Sequence, residues 1–198
     1  IKTTGAGRTD TGVHAKKMFA HFDFDGEISE KLVHQLNSFL PPSIAVKKIF
    51  EVKEDFHARF SAKYRTYEYY ISLEKNPFSE KFAWQHWRKT LDVEKMNEAC
   101  KILFEYEDFG SFAKVGADNK TNICKIYHAN WEQNGNELKF TISADRFLRN
   151  MVRAIVGTMV EIGSGKLNPA DLRNVIEAKN RGVAGTSAPA HALFLVDV

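Results

Sequence analysis

From Lys17 to Phe24 apolar and polar residues alternate, with Met18, Ala20, Phe22 and Phe24 on one side and Lys17, His21 and Asp23 on the other. A period of two predicts a half-buried strand, and Asp25-Gly26 supplies the turn that closes it. From Ser29 the spacing changes to that of a helix, through Leu32, Val33, Leu36 and Phe39. Ser29 is its expected N-cap and Pro41-Pro42 its stop. Ile44 to Val52 reads as a further strand, and a short first strand ends near Thr4. The first 52 residues therefore spell β-β-α-β.

The remainder is a fuller version of the same order. Lys63 to Ser72 reads as a strand with Tyr67, Tyr69 and Ile71 on one face, so Tyr69 and Tyr70 point opposite ways. Asp92 to Phe104 reads as a helix whose inner face carries Val93, Met96, Cys100, Leu103 and Phe104. Strands over Ile123 to Trp131 and Leu138 to Ser143 are joined by Asn134-Gly135-Asn136, residues that tolerate the positive φ of a hairpin turn. A long helix is predicted from Asp145 to about Ile162, ending at Gly163-Ser164-Gly165; a short helix follows Pro169, and His191 to Val198 closes as a strand. The order β-α-β-β-α-(α)-β is that of a ferredoxin-like unit.

The fold class expected is thus α+β, two tandem ferredoxin-like (βαββαβ) units, the first lacking its opening strand and helix. Residue 1 is isoleucine, which agrees with a chain cut at its front. The boundary falls between an N-terminal unit, 1–57, and a C-terminal unit, 58–198. With 198 residues and 43% of them hydrophobic, the chain can bury a sizeable core. The formal charge is only +3, so a polyanion partner has to be sought in the clustering of basic residues. Cys100 and Cys124 form no CxxC pair, which argues against a disulfide framework or cysteine zinc site and for a reducing compartment, the cytoplasm. No apolar run has the length of a membrane span, and no signal-peptide pattern opens the chain.

Three stretches carry candidate chemistry. GAGRTDTGVHA, residues 5 to 15, holds three glycines with Arg8 and Asp10. Its spacing is neither that of a dinucleotide-binding fingerprint nor that of a phosphate loop, since no helix opens directly after it and no lysine precedes a serine or threonine. The plain alternative is a turn with Asp10 bonded to its own backbone. In RFLRNMVR, residues 146 to 153, Arg146, Arg149 and Arg153 fall on one stripe of the expected helix, with Phe147, Leu148, Met151, Val152 and Ile155 opposite. Such a stripe is either a solvated face or a cradle for a phosphate or carboxylate. In HARFSAKYRTYEYY, residues 57 to 70, His57, Arg59, Lys63 and Arg65 alternate with aromatic rings. Cations on phosphates and flat rings on unstacked bases are how splayed RNA is held, while tyrosines on one face of a strand are also ordinary core. The histidines lack metal-ligand spacing with the cysteines, and His14 is expected to be structural.

Together these stretches, with the late GTSAPAHALFLV, resemble the tRNA pseudouridine synthases of the TruA family over nearly the whole chain. The resemblance implies that Asp10 is the essential catalytic residue and that Arg8 helps draw the target nucleotide out of its helix. It implies further that Tyr67 packs on the target base and that Arg153 pairs with Asp10. His57, Arg59, Lys63, Arg65, Arg146 and Arg149 are the expected RNA contacts. It also implies a basic cleft between two α/β units, a homodimer, no metal or other cofactor, and the anticodon stem-loop of tRNA as partner, at uridines 38 to 40 of the tRNA. Thr11 and Ala192 depart from the residues usual in the family, alanine and glycine, away from the expected chemistry.

The reaction so implied breaks the N1–C1′ bond of uridine and joins C5 to C1′. One ionised carboxylate suits it, whether by attack at C1′, by taking a sugar proton or by stabilising charge at the anomeric carbon. Three rivals remain: an RNA-binding protein that has lost the chemistry, a synthase with another RNA target, and a plain α+β domain with a solvated arginine helix. The plain domain parts from the others on geometry, because a catalytic site here needs Asp10 and Arg153 within hydrogen-bonding distance.

Overall fold

The computed structural model describes residues 1–87 and 90–198. Its strands are β1 (Thr4–Gly5), β2 (His14–Ala15), β3 (Ala20–His21), β4 (Arg65–Ser72), β5 (Trp84–Gln85), β6 (Ile126–Asn134), β7 (Glu137–Ala144) and β8 (Leu193–Asp197). Its α-helices are α1 (Leu32–Phe39), α2 (Val93–Ile102), α3 (Met151–Gly163) and α4 (Asp171–Glu177). The fold is mixed α+β.

One sheet of order β2-β8-β4-β7-β6 organises the molecule, and β5 pairs with β4 beside β8. β4 runs antiparallel to β7 with Tyr67 opposite Ile142, and antiparallel to β8 with Tyr67 opposite Leu195. Tyr67, Tyr69 and Ile71 are buried on one face of β4, while Thr66, Glu68 and Tyr70 on the other are only partly covered, as a period of two requires. On the buried face lie α2 and α3, which contribute Met96, Cys100, Met151, Ile155 and Met159 to a core shared with Trp131, Leu138, Phe140 and Ile142. Each large side chain so buried contributes about 1.5–3 kcal/mol. Helix α2 starts where Asp92 accepts a hydrogen bond from the Lys95 N–H. It is clasped to β6 by Asn97, which donates to the Trp131 carbonyl and accepts from the Trp131 N–H.

The predicted elements of the second half are present with shifted ends; the hairpin at Gly135 has its positive φ (58°). The first half departs more. The strand expected over Lys17 to Phe24 is a ladder only at Ala20–His21, paired with Thr4–Gly5. Residues 44–52 form no strand, because an extended run becomes a strand only by sharing hydrogen bonds with a neighbour, and none flanks it among the described residues. Helix α1 begins after Lys31, with the Ser29 hydroxyl, three residues before the first helical position, accepting from the Lys31 N–H, and it fully buries no side chain. The first half joins the main sheet through β2, parallel to β8 with His14 opposite Phe194. No described helix is long and apolar enough to cross a membrane.

Candidate active site

Asp10 stands in the turn between β1 and β2. The turn is closed by the Val13 N–H donating to the Asp10 carbonyl and by Gly12 at φ +89°, a conformation that favours glycine. Both flanks are anchored: the Ala6 N–H donates to Phe19, and the Lys16 N–H donates to Leu195 of β8. His14 stacks on Phe194 at 4.7 Å between centroids and its Nε2 meets the Lys81 carbonyl at 3.2 Å, so it has the structural place expected of it. The Asp10 side chain is 17% exposed, shielded yet open on one side.

Arg153 comes to it from the first turn of α3. Its Nη1 donates to Asp10 Oδ2 at 2.7 Å and its Nε to the Ala188 carbonyl at 2.7 Å. The Ala188 N–H returns a bond to the Arg153 carbonyl. The segment carrying Ala188 is itself laced to α3, because the Gly185 N–H donates to the Thr158 hydroxyl, which donates in turn to Ala154. A side chain at Gly157 would overlap the Thr186 carbonyl oxygen, so the approach of this segment needs glycine there. Arg153 is therefore held at both ends, 20% exposed, with its fork on a carboxylate.

The basic stripe is built differently from the expected helix. Asn150 takes a left-handed φ of 69° and α3 starts only at Met151. Arg146 and Arg149 consequently project from the loop before the helix. Arg146 donates to the Thr121 carbonyl. Arg149 lies 3.5 Å from Asp10 Oδ1, half exposed. Asp10 thus faces two guanidinium groups, one on each oxygen.

Tyr67 lies on β4 against Phe147, ring edge to ring face at 5.2 Å. Burial pushes its hydroxyl above the usual phenol range, Arg65 opposes that shift, and the Asp10 carboxylate adds to it, which puts Tyr67 within electrostatic reach of Asp10. Asp10 and Arg153, far apart in sequence, are therefore brought into contact, with Tyr67 in electrostatic reach of the carboxylate.

The remaining basic residues separate into exposed and structural ones. Arg8 and Lys63 are exposed. Arg65 is buried, with donors on the carbonyls of Ala6, Arg59 and Asp145. Its position is that of an internal tie between β4 and the segment that leads into the Asp10 turn, and burial lowers its pKa from the ordinary value. Buried at 9% exposure and with three of its N–H donors on backbone carbonyls, Arg65 stands inside the protein and not on the surface where an RNA contact was expected. The His57 Nδ1 accepts from the N–H groups of Arg59 and Phe60, so the ring shapes a turn, and the Arg59 guanidinium lies over the Phe60 ring. No group of three metal-ligating side chains occurs among the described residues.

Sequence reasoning missed the carbonyl of Ala188 and the left-handed Asn150. A backbone acceptor has no side-chain signature, but asparagine is enriched in the left-handed region, and it sits where the helix was expected to be continuous.

Comparison with known proteins identifies the family. A sequence model described as tRNA pseudouridine synthase matches residues 99–198. The chain is 56% identical over 200 residues to the tRNA pseudouridine synthase A of Parabacteroides distasonis, covering all of this chain and 79% of that protein. It is 56% identical over 197 residues to that of Bacteroides fragilis, covering 98% and 78%, and 39% identical over 201 residues to that of Bacillus subtilis, covering 100% and 81%.

Proposed function

The chain belongs to the TruA family of tRNA pseudouridine synthases and is an isomerase converting uridine in tRNA to pseudouridine; we propose that Asp10 is its catalytic carboxylate, with Arg153 and Tyr67 completing the site. The observation that carries this is the ion pair between Asp10 and Arg153, which an unconstrained turn and a solvated helix face have no reason to form.

The chemistry follows from what each group can do. The reaction breaks N1–C1′ and forms C5–C1′; the C5 hydrogen leaves as a proton and N1 takes one up, so the base is isomerised with no net change in atoms. An anionic oxygen is required at the sugar, as nucleophile at C1′ or as base toward a sugar proton, and Asp10 supplies it. Arg153, fixed through Ala188, aims that oxygen. A detached uracil must turn in place without escaping, and Tyr67 is the flat surface against which it does so. Base–aromatic stacking contributes about 1–3 kcal/mol. The target has to leave its stack first, and exposed Arg8 beside Asp10 is suited to hold the displaced strand.

Exposed Lys63 and Arg149, with Arg59, Arg146 and His57 at the margins, form the remaining RNA surface in this reading. The target is the anticodon stem-loop, the enzyme works in the cytoplasm, and two copies act as a homodimer. In architecture we read two tandem ferredoxin-like units, 1–57 and 58–198. The second has strand order β8-β4-β7-β6, in which the fourth, first, third and second strands of the unit lie side by side.

The test is an unmodified tRNA transcript incubated with the protein and mapped by carbodiimide adducts that stop reverse transcription at pseudouridine. Stops confined to tRNA positions 38 to 40 are expected. Stops elsewhere would reassign the RNA target; none from a folded protein that binds tRNA would favour the inactive-binder reading.

A further inference from the structure

Two cations meet Asp10, and they are not equivalent. Arg153 is fastened: its Nε is committed to Ala188 and its Nη1 makes a 2.7 Å hydrogen bond. Arg149 is not. Its Nε stands 3.5 Å from Asp10 Oδ1, and among the described residues Asp10 is the sole partner of its guanidinium. Its side chain is 51% exposed.

The root of the Arg149 side chain, by contrast, is fixed. The Lys114 N–H donates to the Arg149 carbonyl. The next residue, Asn150, is held left-handed and donates through its side chain to the Ser187 hydroxyl at 2.7 Å. A firmly rooted long cation, weakly engaged at its tip and open to solvent, can change partner without disturbing the backbone. An exposed ion pair at this separation is worth well under the charge-assisted contact a phosphate oxygen offers.

We propose that Arg149 exchanges partners during the reaction cycle, resting on Asp10 in the free enzyme and moving to a backbone phosphodiester next to the target uridine when RNA binds. The exchange rests on the isomerase reading of Asp10 and deepens it. It gives the site two properties at once. The free carboxylate is screened by two cations, and RNA binding strips one of them away, leaving Asp10 paired with Arg153 alone when the sugar arrives. The same movement adds one phosphate contact at the point where the strand must be splayed.

The exchange has a consequence that a fixed Arg149 lacks. If Asp10 and RNA compete for this guanidinium, removing the charge of Asp10 frees Arg149 for the phosphate, and that part of the effect requires Arg149 to be present. The test is a double-mutant cycle on tRNA affinity, with the parent, Asp10→Asn, Arg149→Ala and the double variant measured by filter binding over a range of salt. Arg149→Ala is expected to weaken binding and to lower the slope of log Kd against log salt by about one. Asp10→Asn is expected to tighten binding, and a part of that gain, about two- to five-fold, should vanish in the Arg149→Ala background.

Equal effects of Asp10→Asn in both backgrounds would overturn the exchange. So would an unchanged salt slope in Arg149→Ala. Circular dichroism melts of all four proteins keep a folding defect from passing as either result. The readout is binding, so a parent that binds tRNA but forms no pseudouridine would sink the isomerase reading while leaving the cycle interpretable.

Discussion

Arg153 donates a 2.7 Å hydrogen bond to Asp10 although 143 positions separate them in the chain. The pair joins the turn that precedes β2 to the first turn of α3, and a third segment, through the Ala188 carbonyl, holds the arginine between them. Three stretches must therefore fold correctly before the carboxylate is aimed. This links the stability of the site to that of the C-terminal core, in which α3 is largely buried.

Arg153→Lys keeps the charge but cannot reach Asp10 and Ala188 together, because an ammonium lacks the planar fork. Losing one charge-assisted bond costs about 1.5–3 kcal/mol. The expected outcome is a fall of about 10- to 150-fold in kcat/KM for pseudouridine formation with the melting temperature nearly kept. Parent-like turnover in the lysine variant would show that the fork does not aim Asp10.

Tyr67→Leu preserves an apolar side chain on β4 but removes the flat ring. With stacking worth about 1–3 kcal/mol, catalytic efficiency should fall about 5- to 150-fold. Steady-state kinetics on a tRNA transcript would check this, with a melt to confirm that packing against Phe147 survives.

Gly157→Ala should be disproportionately harmful for one methyl group. The added carbon overlaps the Thr186 carbonyl and pushes away the segment that holds Arg153. Overpacking of this kind costs about 1–3 kcal/mol. Chemical denaturation should register that loss, and activity should fall further than stability alone explains, since Ala188 moves with the segment.

Burial pushes both cysteine thiols up to about 12. A thiol whose folded pKa exceeds its unfolded value favours the folded state at low pH and loses that contribution as the unfolded thiol ionises. Stability should therefore decline as pH rises from about 9 toward 12, the interval between the unfolded and folded values. Ellman's reagent at pH 8 should find neither Cys100 nor Cys124 in the native protein and both in denaturant. Rapid reaction of a native thiol would contradict their burial.

How much of this was legible in the sequence depended on whether hydrophobic pattern or tertiary partnership decided the local structure. β4, α2 and the β6–β7 hairpin declared themselves by period and turn residues, because their inner faces are core. The 44–52 run reads as a strand but has no neighbour to ladder with among the described residues, and sequence carries no sign of that. In the site, Asp10 and Arg153 were readable from their motifs. Arg65 was misread, since an arginine between tyrosines looks the same whether it faces RNA or caps three carbonyls inside the protein. The arginine stripe failed at one residue: left-handed Asn150 breaks the helix and turns a common helical face into a loop with two differently directed side chains.

The central claim is that Asp10 performs the isomerisation, and tritium release from tRNA labelled at uridine C5 tests it most directly, because that hydrogen must leave when C5 bonds to C1′. The comparison is the parent protein against Asp10→Asn, a change that removes charge at nearly constant shape, with tRNA binding and melts measured on both. Release by the parent and none above background by the variant are expected, with binding retained and the fold intact. Release by a folded Asp10→Asn protein at a rate near that of the parent would contradict it.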